Sequence, residues 1–255
     1  MISAIVNTCN EERYLERCLS HLTWADEIVI VDMHSTDSSV EIARKFTDKI
    51  FFHERAISVL YARDFSLGKA RGDWLVIVDP DEVFPQALAG KISELINSHP
   101  DFSAIAIPSR TKCFGKILKY VYPLEHKLRC FKKGCVSFPA RVHAKPVVKG
   151  PIHYLPADEE LCLINQESDT VAEALAKINR YTTDEAFHMF HDDKVRFKRS
   201  ALFLKPLAEF KNRYFLRQGY RDGIEGFIYS FIMATYYFLI YAKIWEHQRN
   251  SQAKE

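Results

Sequence analysis

Two aspartates one residue apart, Asp79-Pro80-Asp81, with Glu82 beside them, follow the apolar run Leu75-Val76-Ile77-Val78. Carboxylates spaced this way at a strand end can share a hard cation. Mg2+ and Mn2+ take oxygen ligands and are commonly held through one or two carboxylates plus the phosphates of a substrate. Such an ion would neutralise a departing diphosphate. The competing reading is a solvated acidic turn. Asp32, closing Ile28-Val29-Ile30-Val31, can accept hydrogen bonds from a ribose or a base edge. The Ser35-Thr36-Asp37-Ser38 run after it reads as capping for the next helix. Asn10 and Glu11 follow the first apolar run, where Asn10 is equally a plausible helix cap.

These clusters need a scaffold that brings them together, and the hydrophobic pattern supplies one. Ile2–Val6, Glu27–Val31, Lys49–Phe52, Trp74–Val78 and Phe102–Pro108 read as strands. Between them, helical spacing of apolar residues recurs after Asn10, over Ser38–Phe46, over Tyr61–Arg71 up to Gly72, and over Gln86–Asn97. Strands alternating with helices predict a mostly parallel sheet flanked by helices, an α/β fold. Ligands of such sheets bind beyond the carboxyl ends of the strands. Thr8, Asp32 and Asp79-Pro80-Asp81 all fall at such ends.

Other chemistries are excluded by what is missing. The sequence holds no G-x-x-x-x-G-K-[ST], no G-x-G-x-x-G, no G-x-S-x-G and no H-E-x-x-H. His143 and His153, ten residues apart, make a poor zinc pair. The 255 residues carry 35 Lys or Arg against 33 Asp or Glu, a net of +2, so no global charge calls for nucleic acid. The six cysteines form no C-x-x-C pair and fit no zinc spacing, which points to a reducing compartment. No basic, apolar leader opens the chain, and a cytoplasmic location is expected.

Taken together, Asn7-Thr8-Cys9-Asn10-Glu11, Ile28-Val29-Ile30-Val31-Asp32, Ala62-Arg63-Asp64-Phe65, Lys69-Ala70-Arg71-Gly72-Asp73-Trp74 and Asp79-Pro80-Asp81-Glu82 resemble family 2 glycosyltransferases. More narrowly, the chain resembles the small bacterial group that adds a sugar to the inner core of lipopolysaccharide. Lys177-Ile178-Asn179-Arg180-Tyr181-Thr182, Gly219-Tyr220-Arg221-Asp222-Gly223 and Tyr241-Ala242-Lys243-Ile244-Trp245-Glu246 are similar to that group as well. The resemblance implies a GT-A fold, a nucleotide-sugar donor (a UDP-sugar), Mg2+ or Mn2+, and inversion at the anomeric carbon. By matched position, Thr8, Cys9 and Glu11 would line the nucleotide pocket and Asp32 would hold the base or ribose. Asp79 would face the donor sugar or ribose, and Asp81 the metal. The acceptor would be a saccharide such as lipopolysaccharide core, free or lipid-linked. The rival readings are a sugar nucleotidyltransferase, which ordinarily has a Gly-rich loop where this chain has Thr8-Cys9-Asn10-Glu11, and an inactive membrane-associated module.

The sequence departs from the family pattern in three places. Val142-His143-Ala144 stands where relatives have Val-His-Glu, Asn165 stands where they have His, and Pro80 replaces a small residue. Inversion needs a base for the acceptor proton, and Glu125 and His143 are the candidates. Arg129 and Lys145 could bind an anionic acceptor or form a solvated face.

The expected organisation is a catalytic domain over 1–165, with a nucleotide half to about 108 and an acceptor half from about 109. A helical region follows over 166–255, opening with a helix over Asp169–Phe190. Between Lys194 and Arg221 nine basic residues meet a single acid, Glu209, and Gly226–Ala242 carries no charge. A basic helix followed by an apolar, aromatic one suits peripheral contact with the inner membrane through 194–245. Packing within the chain or in a homodimer is the alternative.

Overall fold

The computed structural model describes residues 1–55, 62–98, 101–138 and 145–252. The strands run β1 Ile2–Thr8, β2 Glu27–Asp32, β3 Ile50–Phe52, β4 Trp74–Val78, β5 Glu82–Val83, β6 Ala104–Cys113, β7 Lys116–Leu118, β8 Glu125–Lys132, β9 Val136–Ser137, β10 Val147–Val148, β11 Ile152–Tyr154 and β12 Leu163–Ser168. The α-helices are α1 Glu12–Ser20, α2 Ser39–Arg44, α3 Arg63–Lys69, α4 Gln86–Asn97, α5 Val171–His191, α6 Arg199–Phe210 and α7 Ile224–Gln252. The chain divides into two compact units: residues 1–109 with 124–166, and residues 110–123 with 167–255. Residues 110–123, expected in the acceptor half, thus cluster with the C-terminal helices.

In the first unit β3, β2, β1 and β4 are parallel neighbours in that order. Every residue of β1, β2 and β4 is buried, as helices on both faces of a parallel sheet require. Leu15 and Leu19 of α1 and Leu88 and Ile92 of α4 pack with Ala4, Val6, Val76 and Val78 on one face. Ile5, Val29, Leu75 and Ile77 point to the other. The sheet is mixed beyond β4: β8 pairs antiparallel with β4, and β6 pairs antiparallel with β8. The α/β reading therefore holds, with an antiparallel strand inserted between two strands that the sequence reading placed in one parallel set. Gly72 does not end a helix, since α3 stops at Lys69 with Ala70 extended at its C-cap; it serves close approach instead, as a Cβ there would lie 2.5 Å from Ser3 Oγ and 2.8 Å from Ser3 N.

Two helix starts differ from expectation. Asn10 does not cap α1: it sits in the left-handed region at φ 58, and Glu11 holds the cap position. The N-termini of α1 and α2 instead cap each other. Asp37 accepts the Glu12 N–H, Glu12 accepts the Ser38 N–H, and the Ser39 hydroxyl accepts the Glu11 N–H, all at 2.9–3.0 Å.

In the second unit α5 begins two residues later than expected, because Thr170 and Glu173 form a capping box around its first turn. α7 runs for 29 residues rather than the seventeen of the uncharged stretch. It is long and apolar enough to cross a membrane by length and composition, and 33% of its most apolar window is buried within the structure. α7 packs on both α5 and α6. Asp222, buried just before α7, accepts the backbone N–H groups of Lys119, Tyr120 and Val121 at 2.8–2.9 Å.

Candidate active site

The parallel order places the carboxyl ends of β2, β1 and β4 side by side. Thr8 is the cross-strand partner of Asp32, and Val6 is the partner of Val78, one residue before Asp79. β8 runs the other way, with Val76 opposite Cys130, so its first residues, Glu125 to Lys127, come to the same edge. Thr8, Asp32, Asp79, Asp81 and Glu125 are thereby gathered at one end of the sheet. Cys9 and Glu11 lie in the loop leaving β1. Cys9 Sγ lies 3.6 Å from the Met33 carbonyl, which it reaches as a donor. His143 lies outside the described residues, as does Ala144. Lys145 is exposed, and Asn165 is buried in β12 opposite Glu82.

Asp32 is fully buried, and both its oxygens accept from Ser35: the N–H at 2.8 Å and the hydroxyl at 2.5 Å. It therefore anchors the loop that Asn10 also holds, where Asn10 Oδ1 accepts the Thr36 N–H at 2.7 Å. Asp37 caps α2 through Ser39 as well as α1, and its carboxyl sits below its ordinary value. Burial alone would raise it, and the Ser39 and Glu12 donors outweigh burial.

Beneath Asp79 lies a charge network that the sequence reading did not find. Arg63 Nη2 donates to Asp79 Oδ1 at 2.8 Å. Arg129 Nη2 donates to Asp79 Oδ2 and to Glu82 Oε1, each at 2.5 Å, and Lys127 Nζ donates to Glu82 Oε1 at 3.2 Å. Glu82 Oε2 accepts the Asp79 N–H at 3.1 Å, which fixes the turn through Pro80. Arg129 is 7% exposed, so it forms no solvated face. Burial alone would push the Asp79 carboxyl up, but the guanidiniums of Arg129 and Arg63 dominate and hold it well below the usual carboxylate range. Lys127 is raised in turn, because the Glu82 carboxylate outweighs its burial. Three cations, Arg63, Arg129 and Lys127, face the carboxylates of Asp79 and Glu82, and Asp81 adds a third carboxylate in the same turn, so the charges balance. The Asp79 side chain is still 27% exposed, so a ligand can reach it.

Buried polar atoms without a partner collect around this edge. They include Asn7 Oδ1 and Nδ2, Thr8 Oγ1 and the Nε atoms of Arg63 and Arg129. Leaving such groups unpaired is costly, and a bound polar ligand or water would relieve that cost. For a cation the donor set is spare. Among the described residues no group of three or more His, Cys, Asp or Glu forms a cage, and both Asp79 oxygens are engaged by arginine. Asp81 sits beside Asp79 in the same turn, and its backbone carbonyl accepts the Gln166 N–H at 2.7 Å. One carboxylate completed by phosphate oxygens and water is a usual way to hold Mg2+.

Known structures share this architecture. The chain superposes on a mannosyltransferase from Pyrobaculum calidifontis, solved with GDP-Man and Mn2+, with a TM-score of 0.55, 16% identity and coverage of 95% of this chain and 86% of that one. It superposes on S. aureus TarS 1-349 with UDP-GlcNAc at a TM-score of 0.51, 16% identity and coverage of 98% and 92%. The fold is that of a GT-A glycosyltransferase.

Residues 3–144, more than half of the chain, match glycosyl transferase family 2, and the chain belongs to that family. The lipopolysaccharide core biosynthesis glycosyltransferase LpsC of Rhizobium meliloti is 28% identical over 257 residues, covering 96% of this chain and 92% of LpsC. An uncharacterized glycosyltransferase of Rickettsia typhi is 24% identical over 96% of this chain and 87% of its own length. Membership makes the protein a glycosyltransferase and sets aside the nucleotidyltransferase alternative.

Proposed function

We propose that the protein transfers a sugar, with inversion, from a UDP-sugar to a saccharide of the lipopolysaccharide-core type, lipid-linked at the cytoplasmic face of the inner membrane. The observation that carries this reading is that the ends of β1, β2 and β4 bring Thr8, the Asp32-anchored loop, Asp79 and Asp81 to one sheet edge, with Arg63, Arg129 and Lys127 gathered beside Asp79 and Glu82. A nucleoside diphosphate matches that edge: its ribose and base suit the loops of Thr8, Cys9, Glu11 and Asp32, and its phosphates suit the cationic surround of Asp79. Mg2+ or Mn2+ bound through Asp81 would neutralise the leaving diphosphate. Glu125 takes the proton of the acceptor hydroxyl as that oxygen bonds to the anomeric carbon and the bond to the diphosphate breaks. His143 is the second candidate for that proton. The likeness to LpsC supports the acceptor class, and the helical unit supplies the membrane contact.

Calorimetric titration of UDP, with GDP as the control, tests the donor site. UDP should bind more tightly with Mn2+, and Asp81→Ala should abolish the metal dependence. Equal binding in both proteins, with and without metal, would remove Asp81 from its role. Absence of binding to either nucleotide would favour the inactive-module reading.

A further inference from the structure

α6 has no buried residue, although it carries some of the largest apolar side chains of its unit. Phe203, Leu204 and Leu207 are 62–68% exposed, and Phe215 and Leu216, in the π-helical turn that follows, are 57% and 68% exposed. At roughly 100° per residue, Phe203, Leu207, Leu204 and Ala208 fall within one arc of about 140° that also holds the small Ser200, with Lys205 beyond its Ala208 edge and Phe210 and then Arg199 beyond Phe203. Scattered exposed apolar residues are ordinary, but a contiguous apolar arc on a helix marks a contact surface.

The charges select the partner. Lys198, Arg199, Lys205, Lys211 and Arg217 are all exposed around this arc. Glu209, the only acid between Lys194 and Arg221, is paired with Arg213. A second copy meeting this face across a two-fold axis would bring like charges together. An anionic lipid surface instead accepts the apolar arc among its acyl chains and the cations among its head groups. Twelve residues of α-helix span about 18 Å, against a hydrocarbon core of about 30 Å, so α6 is too short to cross.

We propose that the outward face of α6, continued by Phe215 and Leu216, lies in the plane of an anionic membrane surface. The proposal deepens the reading of a lipid-linked acceptor and rests on it for its purpose. Long Lys and Arg stems at the margins of the arc carry their charges up to the head groups. The apolar arc supplies depth, and the cations supply selectivity for anionic lipid.

Co-sedimentation of the full-length protein with vesicles tests it, using phosphatidylethanolamine with about one quarter phosphatidylglycerol against phosphatidylcholine alone. The wild type is expected to bind the anionic vesicles and to release in high salt. Leu204→Glu/Leu207→Glu should lower partitioning at least tenfold, and Lys198→Ala/Arg199→Ala/Lys205→Ala should lower it about fivefold per cation removed. Circular dichroism melts of both variants verify that the helices remain folded. Wild-type protein that ignores anionic vesicles, or variants that bind as well as wild type, would overturn the proposal. So would a wild-type dimer in sedimentation velocity that Leu204→Glu/Leu207→Glu dissociates, since the face would then join two copies. UDP titration of the same variants separates the two readings. Vesicle binding without nucleotide binding sinks the proposed function alone, and nucleotide binding without vesicle binding sinks the surface alone.

Discussion

Replacing Arg129 by methionine tests whether the charge network under Asp79 holds the site together. Arg129 is 7% exposed and joins Asp79 to Glu82, which has no exposed surface at all. Methionine keeps much of the volume but leaves Glu82 with Lys127 and Asp79 with Arg63. Breaking a buried pair by removing one partner costs about 3–5 kcal/mol, which for a unit of this size lowers Tm by roughly 10 °C. The cost should depend on pH in a definite direction. Asp79 is held below the usual carboxylate range in the folded protein, so its stabilising effect is complete at neutral pH and is lost as pH falls through the folded value. Without Arg129 the Asp79 carboxylate protonates more readily, and the wild-type and variant curves converge on acidification. Urea unfolding from pH 7 to about pH 1, through the window between the ordinary carboxylate value and the lower folded one, is the assay, followed by fluorescence in a Trp245→Phe background so that only Trp24 and Trp74 of the first unit report. A stability difference that stays constant across that range would show that the loss is one of packing, and would refute the electrostatic argument.

Three further perturbations have defined outcomes. Glu27, at the opposite end of β2, accepts from Lys49, Ser3 and the Arg71 N–H at 2.6 Å each; burial alone would raise its carboxyl, and these donors hold it at about 2 against an ordinary 4.5. Glu27→Gln should therefore cost about 3 kcal/mol at neutral pH, a difference that disappears in pH-dependent melts as pH falls from about 4.5 to about 2. Gly226→Ala would place a Cβ 2.1 Å from the Gly219 carbonyl oxygen, and overpacking of about 1–3 kcal/mol should exceed the roughly 1 kcal/mol gained in helix propensity; a stabilised variant, read from Trp245 fluorescence, would contradict this. Glu125→Gln should lower kcat about 10²–10⁴-fold with UDP affinity unchanged in calorimetry, and a near-normal kcat would move the base to another residue.

What could be read from the sequence was what continuous burial writes into it. β1, β2, β4 and α4 are uninterrupted apolar or helical patterns, and the carboxyl-end rule then placed Thr8, Asp32 and Asp79 together. β8 escaped because Arg129 and Lys127 interrupt its apolar residues, and their partners Asp79 and Glu82 lie more than forty residues away in sequence. Asn10 was misjudged because asparagine suits both a cap and the left-handed region, and the Thr36 N–H that decides between them is a tertiary contact. α7 was cut short at Lys243, a charge that normally closes an apolar run. Here its Nζ lies 2.7–2.8 Å from four oxygens of Asn179, Thr182 and Thr183, so the helix pair absorbs the charge and the helix continues.

The carboxylate of Asp222 also imposes a schedule on synthesis. The three N–H groups it receives belong to residues 119–121, made about a hundred residues earlier. At roughly 5–20 residues per second, the hairpin of β6 and β7 waits on the order of 5–20 s for that partner. Throughout the interval Leu118 and Val121, fully buried in the finished protein, stand without the α7 residue Tyr229 that later covers them. The hairpin's apolar side chains are therefore uncovered until α7 has been made, and slowing translation between codons 122 and 222 should lower the yield of folded protein more than slowing it before codon 109.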